Sequence, residues 1–246
     1  MKKLVSALAW CLLALLLLLP AARLLCFALG YRLTLTRAWI YALVLTVLSA
    51  GALVAAIAAE DRESREKGGA TPDASAKTAP EPMGPRVLYA LLPASVLNGV
   101  SLLFQLNGPI IILFILATVF ICGILNFQAR RSPVLRSLSL SLAGLLTVPL
   151  ALLGMVTVFF NVGEDTVVQR LPSPAGSCYA ELIDDDQGAL GGSTYVEVCP
   201  RGLTGEYGVR VARWIYAGNW GEFRDMELRW KDETCLEISG KEYPIP

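Results

Sequence analysis

Over the first 160 positions, apolar residues come in long unbroken runs with no polar face. After Phe160 they come in short runs that alternate with polar residues. Unbroken runs of about 20 residues suit helices that cross roughly 30 Å of hydrocarbon. Residues 4–22 are mostly Leu and Ala behind Lys2 and Lys3, and 38–59 contain no charge at all. Two further runs, 87–104 and 110–126, are separated by Gln105-Leu106-Asn107-Gly108-Pro109, a poor helix sequence that reads as a turn. The fifth run is 137–160. The pattern predicts an α-helical transmembrane bundle of five spans over 1–160. Gly51, Ala55 and Ala59, and again Ser137 and Ser141, recur four apart and offer small-residue packing faces. Residues 60–86 are rich in charge, Ala and Pro and read as a flexible loop.

Alternation with turn clusters about every ten residues predicts a small all-β domain over 161–246. Strands are expected near 166–171, 177–183, 194–199, 208–216, 225–230 and 235–245, the last a hairpin turning at Ser239-Gly240. Trp214, Tyr216, Trp220, Phe223, Trp230 and Tyr243 are the expected bulk of one core. On this reading the segment folds alone.

Charge then orients the spans. With five crossings, Lys2, Lys3, Arg62, Arg65, Lys67, Lys77, Arg86, Arg130, Arg131 and Arg136 share one side, and only Arg23, Arg32 and Arg37 fall by the first loop opposite. Basic residues mark the cytoplasmic side. The chain is therefore expected in the cell membrane, with a cytoplasmic N-terminus and an extracytoplasmic β domain. A single crossing over 87–126 would turn Arg130 and Arg131 outward. Met1 to Ala22 also has the form of a secretory signal, whose cleavage would leave every later assignment unchanged.

Composition narrows the function. Apolar residues make up 54% of the chain, and 21 basic residues balance 21 acidic ones. The segment after 160, however, holds 15 acids against 8 Lys and Arg, which argues against nucleic acid as a partner. Histidine is absent, which removes the commonest general base, the commonest metal ligand and any Ser-His-Asp arrangement. The spans lack internal charges of the kind that mark ion pathways. "GALGG" (188–192) precedes a strand and has no phosphate-binding lysine, so no cofactor is implied.

Asp184, Asp185 and Asp186 are the one acidic run that invites a ligand. In an EF-hand count from Asp184, the required Gly and Glu positions hold Ala189 and Tyr195, so that pattern fails. The run reads first as a turn between two strands, since Asp and Gly are turn formers. The alternative is an irregular Ca²⁺ or Mg²⁺ site, to which Glu181 and Glu197 would add ligands. Cys178, Cys199 and Cys235 lie on the oxidising side. Cys178 and Cys199, on consecutive strands, are the first candidates for a disulfide, and all three reduced and buried is the alternative. A glycan platform would use Trp214 or Trp220 with Asp225.

"SPAGSCYAEL" (173–182) is similar to the turn and strand that open a blade in bacterial β-propellers, and "WKDETCLEI" (230–238) to the accompanying hairpin. One copy does not make a propeller. Together with "DDDQGALGGSTYVEV" (184–198) after several spans, they resemble a family of uncharacterised multi-span membrane proteins of Gram-positive bacteria with a C-terminal extracytoplasmic β domain. That resemblance implies architecture and envelope location without chemistry. The expected function is non-catalytic: binding, sensing, or service as an accessory component of an envelope complex. The implied partners are the lipid bilayer and another envelope protein. A subunit of a transport or export system, and a Ca-stabilised or glycan-binding surface module, are the alternatives.

Overall fold

A computed structural model describes residues 2–68, 86–103, 109–130, 132–159, 164–186, 191–205 and 208–245. The chain divides into two units. One comprises Met1–Pro20, Trp39–Leu102 and Ile110–Leu153; the other comprises Ala21–Ala38, Leu103–Pro109 and Gly154–Pro246.

The first unit is helical. It holds the greater part of each of five helices formed by the apolar runs: α1 (Lys2–Ala28), α2 (Ala38–Gly68), α3 (Leu88–Leu103), α4 (Pro109–Ala129) and α5 (Pro133–Phe159). Four of these helices are long and apolar enough to cross a membrane. The exception, α3, has 16 residues and so rises about 24 Å. The expected turn at 105–109 lies mostly outside the described residues, and α4 opens on Pro109, a residue suited to the first helical turn. Glu60 to Gly68, expected in a loop, continue α2, where Arg65 pairs with Asp61 one turn back at 3.1 Å. Residues 69–85 of that loop lie outside the described residues.

Leu12 and Leu16 of α1, Leu45 and Ala52 of α2, Leu91 and Ala94 of α3, and Cys122 and Leu125 of α4 share one buried cluster. The closest helix contact is not where small-residue spacing suggests. Gly51 has open space around it and Ser137 and Ser141 are exposed, whereas a Cβ on Gly123 would stand 2.6 Å from that of Ala143. Gly123 is the small residue that lets α4 and α5 touch. Asn98, 2% exposed, donates to Leu16 O and Tyr41 Oη, both at 3.0 Å, and so ties α3 to α1 and α2.

The second unit contains two antiparallel sheets. β2 (Glu164–Pro172), β3 (Cys178–Asp186), β4 (Gly192–Pro200) and β5 (Val209–Asn219) fall close to the expected strands, as do β6 (Leu228–Asp232), β7 (Cys235–Ile238) and β8 (Lys241–Pro244). Ser239 and Gly240 turn the β7–β8 hairpin with positive φ at both positions, 46° and 81°. One strand was not expected. β1 (Tyr31–Leu35), between α1 and α2, pairs antiparallel with β5 from Tyr31↔Arg213 to Leu35↔Val209. The larger sheet has the order β1-β5-β4-β3-β2, and the smaller one β6-β7-β8. Residues after 160 therefore do not complete the larger sheet by themselves.

Ala180, Leu182, Val196 and Val198 of the larger sheet pack on Leu228, Leu236 and Ile238 of the smaller one. Tyr216, Phe223, Trp230 and Tyr243 pack against this cluster as expected. Trp214 and Trp220 do not: they are 52% and 54% exposed. Trp214 instead stacks on Tyr195, and Trp220 lies against the Cα of Gly192, where a Cβ would come within 2.5 Å of its ring.

Candidate functional site

Side chains alternate across a strand, so one face of the larger sheet supplies the core and the other carries Glu181, Ile183 and Asp185. Glu181 on β3 stands directly opposite Glu197 on β4, and both are fully buried. Two facing carboxylates out of water are tolerable only with cations between them. Three arginines from three other strands meet that requirement. Arg170 Nη2 lies 2.6 Å from Glu181 Oε1, and Arg210 Nη2 lies 2.6 Å from Glu181 Oε2. Arg210 Nη1 meets Glu197 Oε2 at 2.6 Å, at an angle that makes an ion pair rather than an aligned hydrogen bond. Arg32 then reaches Glu197 Oε1 at 3.5 Å and Asp165 Oδ2 at 3.1 Å.

This alternating chain, Arg170–Glu181–Arg210–Glu197–Arg32–Asp165, touches all five strands. Its last link also fixes the shape of the sheet. Arg32 is on β1 and Asp165 on β2, the two opposite edges. Flat, edges four strand spacings apart would stand roughly 19 Å from each other, beyond the reach of an Arg and an Asp. The sheet therefore curls into a half-barrel around its own ionic face, which accounts for the complete burial of Glu181 and Glu197 on the side away from the second sheet.

β1 is held at its end as well. Thr36 N donates to Gly208 O at 3.1 Å, and Thr36 Oγ1 to Gly205 O at 2.7 Å. Gly205 has φ +99°, and a Cβ there would meet Thr36 Cγ2 at 2.5 Å. Only glycine satisfies both conditions.

The environment sets the ionisation of the surrounding groups. Burial raises the Asp165 carboxyl above its usual value, Arg32 opposes the shift, and the facing Asp185 reinforces it. Arg210 loses charge stability to burial, but Glu197 and its other anionic neighbours more than reverse this, and its affinity for its proton rises. Cys199 is fully buried, and its Sγ lies 3.5 Å from Glu181 Oε2. Burial pushes its thiol up to about 12, so it holds its proton at neutral pH and is no nucleophile.

The residues singled out by sequence are placed differently. Asp184, Asp185 and Asp186 are the last three residues of β3, not a loop, and pair with Thr194, Ser193 and Gly192 of β4. Successive strand residues point to opposite faces, so the three carboxylates do not converge. Asp184 is half-buried, and burial, with Asp186 beside it, raises its carboxyl. Among the described residues no group of three or more His, Cys, Asp or Glu is arranged to hold a metal ion. Glu181 and Glu197, considered as added ligands, have arginine partners instead. Cys178 and Cys199 are both free: Tyr179, not Cys178, stands opposite Cys199, so the register turns the two thiols to opposite faces. Cys235 is also free and half-buried.

Sequence reasoning missed the roles of Arg32, Arg170 and Arg210. The available signal was a glutamate inside each of two otherwise apolar strands, "YAEL" and "YVEV". A charge there demands a partner. Comparison of the chain with protein-family models, with curated proteins and with solved structures finds no match.

Proposed function

We propose that the chain is a five-span membrane protein that displays a non-catalytic β half-barrel on the extracytoplasmic side. There it acts in binding, in sensing or as an accessory component of an envelope complex. The observation that carries the reading is the pairing of β1 with β5. One strand precedes α2 and the other follows α5, yet both belong to one sheet and so share a side. An even number of crossings must separate them. Helices α2, α4 and α5 each have the length and composition to cross, which makes three. The shorter α3 supplies the fourth if the bilayer thins slightly around it, a modest cost. With α1, the total is five. The basic residues between α2 and α3, and between α4 and α5, then face the cytoplasm.

A binding role fits the sheet better than catalysis because its buried carboxylates are neutralised by arginines and its buried thiol keeps its proton. The half-exposed Trp214 and Trp220 favour one specific form of this reading, in which either ring stacks on a sugar of the envelope. Impermeant protease applied to intact cells tests the topology. A tag after Pro246 is expected to be cut and a tag inserted at residues 69–85 to be protected. The reverse pattern would reject the proposal.

A further inference from the structure

The end of the bundle where α4 meets α3 and α5 carries a preformed cation that has no carboxylate partner among the described residues. Arg130 directly follows α4, and its guanidinium carbon lies 4.2 Å above the ring centre of Tyr89 on α3. Tyr89 is itself anchored, its hydroxyl donating to Ala129 O at 2.9 Å. Asn126, 3% exposed, donates to Leu88 O and Tyr89 O and accepts from Ser139 Oγ at 2.9 Å. Arg130 Nε points to the same Asn126 oxygen at 3.4 Å. Arg136 on α5 closes the group by donating from Nε to Arg130 O at 2.6 Å.

These contacts fix the Arg130 guanidinium but leave its two terminal nitrogens, with four N–H donors, unpaired among the described residues. Exposed Arg86 adds charge at the start of α3. The acids of this unit with described side chains are Glu60 and Asp61 in the C-terminal part of α2, and Asp61 already pairs with Arg65. Beside the cluster, α5 presents Val134, Leu135 and Leu138, which are 73%, 43% and 61% exposed. An apolar flank next to a fixed guanidinium matches a molecule with a phosphate head and hydrocarbon tails.

We propose that Arg130, held flat on Tyr89, binds the phosphate of an anionic lipid headgroup, whose acyl chains run along Val134, Leu135 and Leu138. The planar fork pairs with two phosphate oxygens, and the aromatic stack removes the need to order the arginine on binding. Basic pockets between helix ends hold such headgroups. The inference rests on the membrane reading above, but not on which face is cytoplasmic.

The test is thermal unfolding of the full chain in nanodiscs of phosphatidylcholine alone, or with phosphatidylglycerol at about one lipid in three. Phosphatidylglycerol is expected to raise the wild-type midpoint by about 2–4 °C. Arg130→Gln should lose that rise. Arg62→Gln, the same charge change at an exposed position of α2 that is not part of the Tyr89–Arg130 stack, should keep it. An undiminished rise in Arg130→Gln, or an equal loss in Arg62→Gln, overturns the site in favour of diffuse surface charge. Inorganic phosphate reproducing the rise in phosphatidylcholine overturns the lipid as ligand. If Arg130→Gln does not fold, lipid bound to purified wild type decides: enrichment of phosphatidylglycerol over the source membrane supports the site, and the bulk ratio overturns it. Both leaflets of a nanodisc have one composition, so a reversed topology would leave this result unchanged.

Discussion

Among the described residues of the helical unit the buried polar side chains are neutral: Ser49, Ser95, Asn98, Thr118, Asn126 and Ser139. Each bonds a backbone carbonyl, a hydroxyl or an amide nearby. The β unit buries Glu181, Asp185 and Glu197 and sets arginines against the two glutamates. The difference follows from the solvent each unit is built for. A charge at mid-bilayer is costly and finds no water, so apolar helices gain specificity from amides and hydroxyls. A sheet surrounded by water can hold full charges if it curls around them and gives every one a partner. Deletions should therefore be severe in the sheet and mild in the bundle.

The largest effect is expected at Arg210, the link between the two facing glutamates. Arg210→Met leaves, among the described residues, Glu181 with Arg170 and Glu197 with the more distant Arg32 as its remaining cation, and is expected to cost about 3 kcal/mol, the lower end for a broken buried pair. Limited proteolysis of the full chain in detergent against denaturant measures this as loss of the protected β fragment. Adding Glu181→Gln and Glu197→Gln to Arg210→Met should recover most of the loss, since the under-compensated buried charges are then gone. No recovery would mean that packing of the arginine stem, not charge, dominates.

Second in size is the attachment of β1. Gly205→Val combines an unfavourable φ with a clash at Thr36 and is expected to cost roughly 1–3 kcal/mol. Hydrogen exchange should accelerate at Tyr31–Leu35 and along its β5 partners while β3 and β4 stay protected. Equal acceleration throughout would show that the half-barrel is one cooperative unit. For the same reason, fragment 161–246 without β1 should expose the β5 edge and associate.

Much of this organisation was legible in the chain. Unbroken apolar runs gave the helices, because burial on all sides leaves no polar face to hide. Period-two alternation located seven strands. β1 escaped although "YRLTL" alternates apolar and polar residues, because one five-residue run between two long apolar runs has no strand beside it in sequence and its partner begins only at Val209. The exposed tryptophans escaped because large aromatics usually fill small cores, whereas here Leu182, Val196, Leu236 and Ile238 do so. The helical extension at Glu60–Gly68 was readable in retrospect, since Glu, Arg and Lys are good helix formers and Asp61 sits one turn before Arg65. The ionic chain was half visible. Two glutamates in apolar strands announced a need, but their partners lie on β1, β2 and β5, and pairing across that much sequence is a property of the sheet's curl.

A smaller loss is expected in the bundle. Asn98→Leu removes the link from α3 to α1 and α2 but leaves no charge behind, and about 0.6–2 kcal/mol is expected. Unfolding in mixed micelles, followed by helical circular dichroism, measures it. A loss as large as that of Arg210→Met would erase the distinction between the two units.

The subtlest effect is the pH dependence of the β unit, where groups of opposite sign overlap. The Asp165 carboxyl is raised by burial, so the folded chain takes up this proton at a higher pH than the unfolded chain, whose value is near 3.8. Across that interval the folded state binds more protons, and stability rises as pH falls. The contribution is complete below the unfolded value and is lost as pH rises through the folded one. Asp232 and Glu233 act in the opposite sense. The backbone N–H of Thr234 holds Asp232 low and that of Ala175 holds Glu233 low, so their contribution is lost on acidification. The total curve mixes these terms, but its difference from Asp165→Asn isolates one of them. That difference should be flat well above the folded value and bend below it, with the wild type gaining relative to the variant as pH drops. A difference bending the other way would mean that Arg32 outweighs burial at Asp165, and that the closing link of the half-barrel is a net attraction rather than a tolerated strain.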